Sequence, residues 1–206
     1  MTSILVFGDS ITYGADDTEL GGWVNRLKLF FNSSDIYNLG ICGDRTDDII
    51  RRFKFETEQR LEEGEKDYLV VFAVGINDSQ FVSSKKEFRT PIKEFENNIL
   101  ELIQAAEKIS KKIVFVGLTS VNESKTAPCS WNKNKSYKNE YIKKFNDIIQ
   151  EIGKKSNSGF VEIYNKFIIS GNNLLSEDGL HPNSEGHERI FHEVKSFLMA
   201  ENLIKI

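Results

Sequence analysis

The apolar residues of this chain fall into two alternating patterns. Five short runs rich in β-branched and aromatic residues predict strands, at residues 4–7, 36–39, 68–74, 113–118 and 160–163. Three longer stretches repeat apolar residues every three or four positions and predict amphipathic helices, around residues 95–106, 141–152 and 190–198. Alternation of the two patterns is typical of β-α units around a parallel sheet.

These elements predict an α/β fold, namely a three-layer α/β/α sandwich with a five-stranded parallel sheet. Right-handed crossovers put helices on both faces of such a sheet, and we expect a flavodoxin-like strand order. The 206 residues contain no repeat, low-complexity tract or proline-rich linker, so residues 1–206 are predicted to form one domain. Because ligands of such sheets bind beyond the carboxyl ends of the strands, the residues that follow each strand are candidates for function.

Charge and composition narrow the classes of partner. A net charge of −4 provides no positive field for broad binding of nucleic acid or anionic membranes. The longest apolar run, residues 69–74, is far too short to cross a bilayer. No signal peptide is predicted at the N-terminus, so the expected location is cytoplasmic. The two cysteines are too few for a disulfide framework or a Cys-x-x-Cys zinc site, and nothing in the sequence decides the oligomeric state.

Four clusters of small and polar residues stand out against this background. Three of them follow the first three predicted strands, and the fourth precedes the last predicted helix. They are Gly8-Asp9-Ser10-Ile11-Thr12-Tyr13-Gly14, Gly40-Ile41-Cys42-Gly43-Asp44-Arg45, Gly75-Ile76-Asn77-Asp78 and Asp178-Gly179-Leu180-His181-Pro182. We expect all four to gather at one edge of the sheet.

Together the clusters contain the groups that nucleophilic catalysis by serine requires. A serine hydroxyl needs a base to take its proton and N–H donors to hold the oxyanion that forms on the attacked carbonyl. Ser10 lies at a strand-to-helix junction, where its own backbone N–H is a natural oxyanion donor. Asp178 precedes His181 by three residues and can accept the Nδ1–H, which leaves Nε2 for Ser10. The backbone N–H of Gly43 and the side-chain amide of Asn77 are the further donors.

The clusters resemble, in order and spacing, the sequence blocks of the SGNH (GDSL) esterase and lipase superfamily. The blocks read Gly8-Asp9-Ser10-Ile11, Asn38-x-Gly40-x-x-Gly43, Gly75-x-Asn77-Asp78 and Asp178-x-x-His181-Pro182. The family's usual leucine after the serine is Ile11 here, an apolar residue of similar volume. The resemblance implies the SGNH hydrolase fold.

Residue roles also follow from this resemblance. Ser10 is implied to be the nucleophile, His181 the general base and acid, and Asp178 the group that orients the histidine. The oxyanion hole is implied to consist of the Ser10 N–H, Gly43 and Asn77. The implied activity is that of a serine carboxylic-ester hydrolase, without cofactor or metal.

We therefore expect hydrolysis of small or medium acyl esters through an acyl-serine intermediate, since a chain of this size has little material to enclose a long acyl chain. The expected partner is a small-molecule ester, and carbohydrate acetates, short aliphatic or aryl esters, thioesters and lysophospholipids all remain open. An acyltransferase with the same triad is an alternative. A flavin- or nucleotide-binding module is another, although no phosphate-loop motif is present and Asp9 would repel phosphate.

Several residues near the clusters have simpler structural interpretations. Asp9 is predicted to hydrogen-bond nearby loop backbone, and Arg45 to be a charge at a helix start. His187 is predicted to pack at the start of the last helix and His192 to point elsewhere. Cys42 is predicted to be a small buried apolar residue.

Two polar segments, residues 80–91 and 120–135, are expected to determine the substrate, because loops of this length are usually functional or mobile. Phe81 and Trp131 lie in them, and the sequence does not decide whether they line a pocket or pack elsewhere. A metal-dependent hydrolase is conceivable from Asp178-x-x-His181. No second ligand motif accompanies it, so activity is predicted to be insensitive to chelators.

Overall fold

The computed structural model describes residues 2–61 and 67–204 of the chain. Its strands are β1 (Thr2–Gly8), β2 (Asp35–Gly40), β3 (Asp67–Ala73), β4 (Phe81–Val82), β5 (Glu87–Phe88), β6 (Ile113–Val116), β7 (Lys135–Ser136) and β8 (Gly159–Val161). Five of them form one parallel sheet in the order β2-β1-β3-β6-β8. When these five strands are counted in chain order, the second, first, third, fourth and fifth lie side by side, which is the predicted flavodoxin-like strand order.

Helices cover both faces of this sheet. They are α1 (Ser10–Tyr13), α2 (Trp23–Phe30), α3 (Thr46–Glu58), α4 (Ile92–Ala106), α5 (Glu123–Thr126), α6 (Asn139–Lys155), α7 (Tyr164–Ser170) and α8 (Ser184–Ala200). Helix α2 packs with α8, whereas α3 packs with α4 and α4 with α6. The three predicted amphipathic helices correspond to α4, α6 and α8, and the predicted α/β/α sandwich is confirmed. In the described part of the chain, no helix is long and apolar enough to cross a membrane.

The core lies on the two faces of β1 and β3. Both strands are buried almost throughout, which explains why their sequences are continuous apolar runs rather than alternating patterns. Phe7 of β1 packs against Phe53 of α3 with tilted rings whose centroids are 4.8 Å apart, and Phe72 of β3 stacks on Phe115 of β6 at 5.3 Å. These aromatic contacts hold the central strands β1 and β3, whose carboxyl ends carry two of the four clusters.

Two predicted strands are shorter than expected. The predicted strand at 113–118 ends at Val116, and that at 160–163 ends at Val161. The backbone N–H of Leu118 donates to Asn146 Oδ1 on α6, at 2.9 Å, instead of pairing with a neighbouring strand. The apolar pattern extends past the end of the strand because these residues are still buried.

A second, small sheet joins the two segments that were expected to determine the substrate. Strands β5, β4 and β7 pair antiparallel in that order, so segment 80–91 is bonded to the end of segment 120–135. Phe81 packs edge-on against Phe88 at 5.8 Å, whereas Trp131 is 50% exposed. Strands of two residues are too short to show a period in the sequence, which is why this sheet was not predicted.

Candidate active site

The four clusters meet at the carboxyl edge of the parallel sheet. The first three follow β1, β2 and β3, and the fourth lies in the segment before α8. Ser10 Oγ is 2.9 Å from His181 Nε2, although the two residues are 171 positions apart. The fold therefore brings together the ends of the chain at this edge.

Ser10 is the first residue of α1, immediately after β1. Asp9 is the N-cap, and its Oδ1 accepts the backbone N–H of Ile11 at 2.9 Å, which agrees with the role predicted for it. The N–H of Ser10 is in the first turn of the helix, where N–H groups have no intrahelical acceptor. The serine thus offers both a hydroxyl and a free backbone donor on the same side of the turn.

The short helix α1 is held against the end of β2. Asn38 Nδ2 donates to the carbonyl oxygen of Thr12 at 2.9 Å. At Gly40, an added Cβ would lie 2.3 Å from the backbone N of Tyr13, so only glycine permits this approach. Both residues belong to the second block, and both serve to position the turn that carries Ser10.

His181 is oriented by Asp178. His181 Nδ1 is 2.6 Å from Asp178 Oδ2, which assigns the Nδ1–H as donor and leaves Nε2 facing Ser10. Asp178 Oδ1 accepts three further hydrogen bonds, from the N–H groups of Leu180 and His181 at 2.8 and 3.0 Å and from the Ser176 hydroxyl at 2.8 Å. The carboxylate therefore cannot rotate without breaking several bonds.

These contacts set the charge states of the pair. Burial alone would raise the pKa of Asp178, but the hydrogen bonds from the imidazole and two backbone N–H groups outweigh it and hold the pKa well below its usual range. Burial alone would lower the pKa of His181, but the hydrogen bond and charge of Asp178 outweigh it and raise the pKa. Asp178 is consequently an anion at neutral pH, and the histidine protonates more readily than a free imidazole.

Gly43 occupies a tight turn that spans residues 41–44. The N–H of Asp44 donates to the carbonyl of Ile41 at 3.1 Å, and Gly43 has φ +87° whereas φ of Cys42 is not positive, as in a type II turn. The positive φ is the reason that this position favours glycine. Space is not the reason, because a Cβ there would meet nothing within 4 Å. Arg89 Nη2 donates to the Gly43 carbonyl at 3.3 Å and holds the turn in place.

The side-chain amide of Asn77 is fixed from both ends. Its Nδ2 donates to the carbonyl of Asp44 at 3.0 Å, and its Oδ1 accepts from the hydroxyl of Tyr137 at 3.0 Å. This arrangement leaves one Nδ2–H for a ligand. Tyr137 is buried, which raises the pKa of its hydroxyl above the usual range and keeps it a neutral donor.

Arg52 connects the turn of Gly43 to the sheet. Its Nε donates to Asp44 Oδ2 at 2.8 Å, and its Nη2 donates to the carbonyls of Gly8 and Leu39 at 3.2 and 2.7 Å. The residue thus binds the ends of β1 and β2 and the turn between β2 and α3. Neither Arg52 nor Tyr137 was found from the sequence, and neither lies in a motif that could have indicated it.

Two buried carboxyl groups form the floor of the site. Asp9 is 2% exposed, and burial raises its pKa to about 7. Asp78 accepts the hydroxyl of Thr46 at 2.6 Å and also its backbone N–H, yet burial raises the pKa of Asp78 to about 6. The floor is therefore only partly charged at neutral pH.

Other residues near the clusters have the structural places that were predicted, with one exception. His187 is buried and donates from Nε2 to the carbonyl of Ala15 at 2.9 Å, whereas His192 is exposed. Arg45 is the N-cap of α3 and pairs with Asp47 at 2.8 Å. The prediction for Cys42 is wrong: the residue is exposed, because it is at the outer corner of the 41–44 turn.

One group of side chains offers ligand atoms for a metal ion. An oxygen of Asp16, an oxygen of Asp178 and a nitrogen of His181 lie within 4.8 Å of one another. The His181 Nδ1 is engaged by Asp178 at 2.6 Å, as a histidine that serves as a base would be. A metal at this place would compete with that hydrogen bond.

Solved structures share this fold over almost the whole chain. A lipase/acylhydrolase from Enterococcus faecalis superposes with a TM-score of 0.75 at 22% identity, covering 98% of this chain and 97% of that one. A lipolytic protein of the G-D-S-L family from Veillonella parvula gives 0.72 at 16% identity, with 97% and 99% covered. An acetylxylan esterase from Geobacillus stearothermophilus gives 0.72 at 18% identity, with 95% and 93% covered.

The sequence itself matches one family over most of its length. Residues 6–189 match the family described as GDSL-like Lipase/Acylhydrolase, and this segment contains all four clusters. No curated protein sequence matches the chain. The chain therefore belongs to the GDSL-like lipase/acylhydrolase family and is a carboxylic-ester hydrolase.

Proposed function

We propose that this hydrolase cleaves esters of small or medium acyl groups through an acyl-serine intermediate. Ser10 is the nucleophile, His181 the general base and acid, and Asp178 the group that orients and supports the histidine. The observation that carries the proposal is the continuous chain of contacts from Ser10 Oγ to His181 Nε2, at 2.9 Å, and from His181 Nδ1 to Asp178 Oδ2, at 2.6 Å. Both distances are those of hydrogen bonds that transfer or support a proton.

In the acylation step, the Ser10 oxygen attacks the ester carbonyl carbon while His181 Nε2 takes the hydroxyl proton. The carbonyl electron pair moves to oxygen and forms a tetrahedral oxyanion. When the pair returns, the carbon–oxygen bond to the alcohol breaks and His181 gives its proton to the leaving alkoxide. The acyl group is then bonded to Ser10 and the alcohol is free.

Water completes the reaction in the second step. His181 takes a proton from the water as its oxygen attacks the acyl carbon, and a second oxyanion forms. Collapse of this intermediate expels the Ser10 oxygen, which recovers the proton from His181. Asp178 stays ionised throughout because its pKa is held low, so it supports the imidazolium in both steps.

Three donors hold the oxyanion in this proposal. They are the N–H groups of Ser10 and Gly43 and the free Nδ2–H of Asn77. The Gly43 turn and the Asn77 amide are bonded to each other through Asp44, so the two donors are set before substrate arrives. Donors that need no reorganisation contribute the most to stabilising developing charge.

The surroundings of Ser10 support an acyl group of limited size. A mostly apolar cavity lined by both chain neighbours of Ser10, Asp9 and Ile11, and by Trp23 among others has about 20 Å³, which is room for about one water. Cys42 and Gly43 are exposed, so the proposed oxyanion donor of Gly43 is at the protein surface and not in an enclosed pocket. Such a site has few apolar contacts to offer a long chain.

The test is hydrolysis of p-nitrophenyl esters from acetate to palmitate, with wild type and Ser10→Ala side by side and chelator present. We expect turnover on the short members that disappears in the variant, and trapping of an acyl group on Ser10 by mass spectrometry. Acetylated xylo-oligosaccharides extend the series, since one structural relative is named an acetylxylan esterase. Full activity of Ser10→Ala would overturn the proposal. A kcat/KM that rises steeply towards palmitate would overturn its limit on acyl size.

A further inference from the structure

A second carboxylate faces the proposed base. Asp16 Oδ2 is 4.0 Å from His181 Nδ1, whereas Asp178 Oδ2 is 2.6 Å from the same atom. Asp16 lies in the segment after α1 and outside all four blocks, and its sequence context indicates no function. Its side chain is 45% exposed, so its carboxylate is available to water as well as to the ring.

The backbone of Asp16 has a conformation that L residues seldom adopt. Its φ is +64°, in the left-handed region. Asp and Asn enter this region more easily than other side chains, but a residue there is retained only where its surroundings hold it. Contacts of both its chain neighbours hold Asp16 in this conformation.

Both chain neighbours of Asp16 are anchored to helices. The carbonyl of Ala15 accepts from His187 Nε2 at 2.9 Å, and His187 is fully buried in α8. The carboxylate of Asp17 pairs with the guanidinium of Arg26 in α2 and also accepts the N–H of Gly22 at 2.7 Å. The backbone on each side of Asp16 is thus fixed, and its side chain is aimed at His181.

We propose that Asp16 is a positioning residue for His181, a second carboxylate that stabilises the protonated ring formed when Ser10 gives up its proton. Its role in turnover rests on the proposed function. Asp178 makes the hydrogen bond that fixes the tautomer, whereas Asp16, at 4.0 Å, contributes charge alone. Because Asp16 is half-exposed, its effect is smaller than that of Asp178 and is weakened by salt.

The charged groups that face His181 come from its own segment and from two other places in the chain. Asp178 is in the same segment as the ring, Asp9 approaches from the end of β1, and Asp16 approaches from the segment after α1. His187 of α8 is a titratable group in the same region. A test must therefore distinguish the effect of the Asp16 carboxylate on the His181 ring from that of a general change in the electrostatic field of this region.

The experiment is an NMR titration of the His181 ring, which needs no turnover. The chain has three histidines, so His181→Gln assigns the signal. In Asp16→Asn, which keeps a residue suited to positive φ, we expect the midpoint to move to lower pH by roughly half a pH unit. The acid limb of kcat/KM should move by the same amount, with a plateau lowered no more than about fivefold.

The matched control is Glu19→Gln, which removes the same charge from the same segment. Glu19 is 70% exposed and lies 3.8 Å from Arg26, so its loss should leave the His181 midpoint in place. If Asp16→Asn fails to fold, Asp16→Gly tests the same charge, because glycine adopts the required φ. An unmoved His181 midpoint in the folded Asp16 variant, or an equal shift in Glu19→Gln, would overturn the inference.

The two proposals fail in different ways. An active Ser10→Ala variant would refute the catalytic role of Ser10. It would not affect the NMR titration, which measures the effect of Asp16 on the His181 ring without turnover. If Asp16→Asn shifts the titration midpoint of the His181 ring but not the acid limb of kcat/KM, Asp16 has no role in turnover. A shift in both supports the inference.

Discussion

The carboxyl group of Asp9 in the buried floor and that of Asp178 in the segment before α8 have opposite properties. Asp9 in the floor accepts one backbone N–H, and burial raises its pKa to about 7. Asp178 in that segment accepts four hydrogen bonds, and its pKa is held below the usual range although burial opposes this. Asp9 is completely buried and receives one donor, whereas Asp178 is only partly buried and receives four, so burial and the number of donors together make Asp178, and not Asp9, the permanent anion.

This difference explains why Asp9, the residue next to Ser10, is not suited to support the histidine. A group that stabilises an imidazolium must be ionised throughout the reaction, and Asp9 is partly protonated near pH 7. Asp9 instead caps the turn of Ser10. Asp178, three residues before His181 in the same segment, holds the ring and remains charged.

The largest fall in activity is expected when the negative charge of Asp178 is removed. In Asp178→Asn the histidine loses the acceptor that fixes its tautomer, and we expect kcat to fall by roughly three to four orders of magnitude. Steady-state kinetics on a short p-nitrophenyl ester measures this, with thermal unfolding as a check of the fold. A fall in kcat smaller than tenfold would show that the Asp178 carboxylate is not the group that supports the His181 ring.

A smaller effect is expected at Tyr137, the buried residue that donates to Asn77 Oδ1. In Tyr137→Phe the Asn77 amide loses the donor that orients it, and we expect kcat to fall about tenfold with KM nearly unchanged, because the oxyanion forms only in the transition state. Tyr141→Phe is the control, since this ring packs on Phe88 in the same region. Equal losses in both variants would point to packing rather than to orientation of the amide.

Asp9→Asn should change activity only a few-fold but should alter how stability depends on pH. The pKa of Asp9 is higher in the folded protein than in the unfolded chain, so the stability it contributes is present at pH 4 and is lost as pH rises to about 7 and beyond. Between pH 4 and pH 8, wild type should therefore lose on the order of 2–4 kcal/mol more than Asp9→Asn. Urea unfolding at several pH values measures this, and equal losses would contradict the floor assignment.

The smallest effect concerns the pH profile of the wild type. Activity requires a neutral His181, so kcat/KM should rise with pH and level off as the ring loses its proton. Because Asp178 and the neighbouring carboxylates raise the pKa of the ring, the midpoint of the rise should lie above 6.5. A profile that falls across neutral pH would contradict the assignment of His181 as the base.

Apolar runs predicted the five parallel strands and the helices α4, α6 and α8 well, because burial on both faces of a sheet leaves a strong signal in the sequence. The ends of β6 and β8 and the small β5-β4-β7 sheet were not predicted. In these places side-chain hydrogen bonds and very short pairings decide the structure. Exposure of Cys42 was missed because a turn of four residues has no apolar pattern.

By itself, the sequence determined the order of the elements, the four clusters and the residue types that a serine hydrolase needs, because periodicity and motif spacing are local properties. Only the tertiary structure decided that Tyr137 donates to Asn77, 60 positions away, and that Arg52 joins the ends of β1 and β2. It also decided that Asp16 faces His181, and that Asp9 and Asp178 differ in charge. The physical reason is that pKa values and hydrogen-bond partners depend on neighbours that meet only when the chain folds.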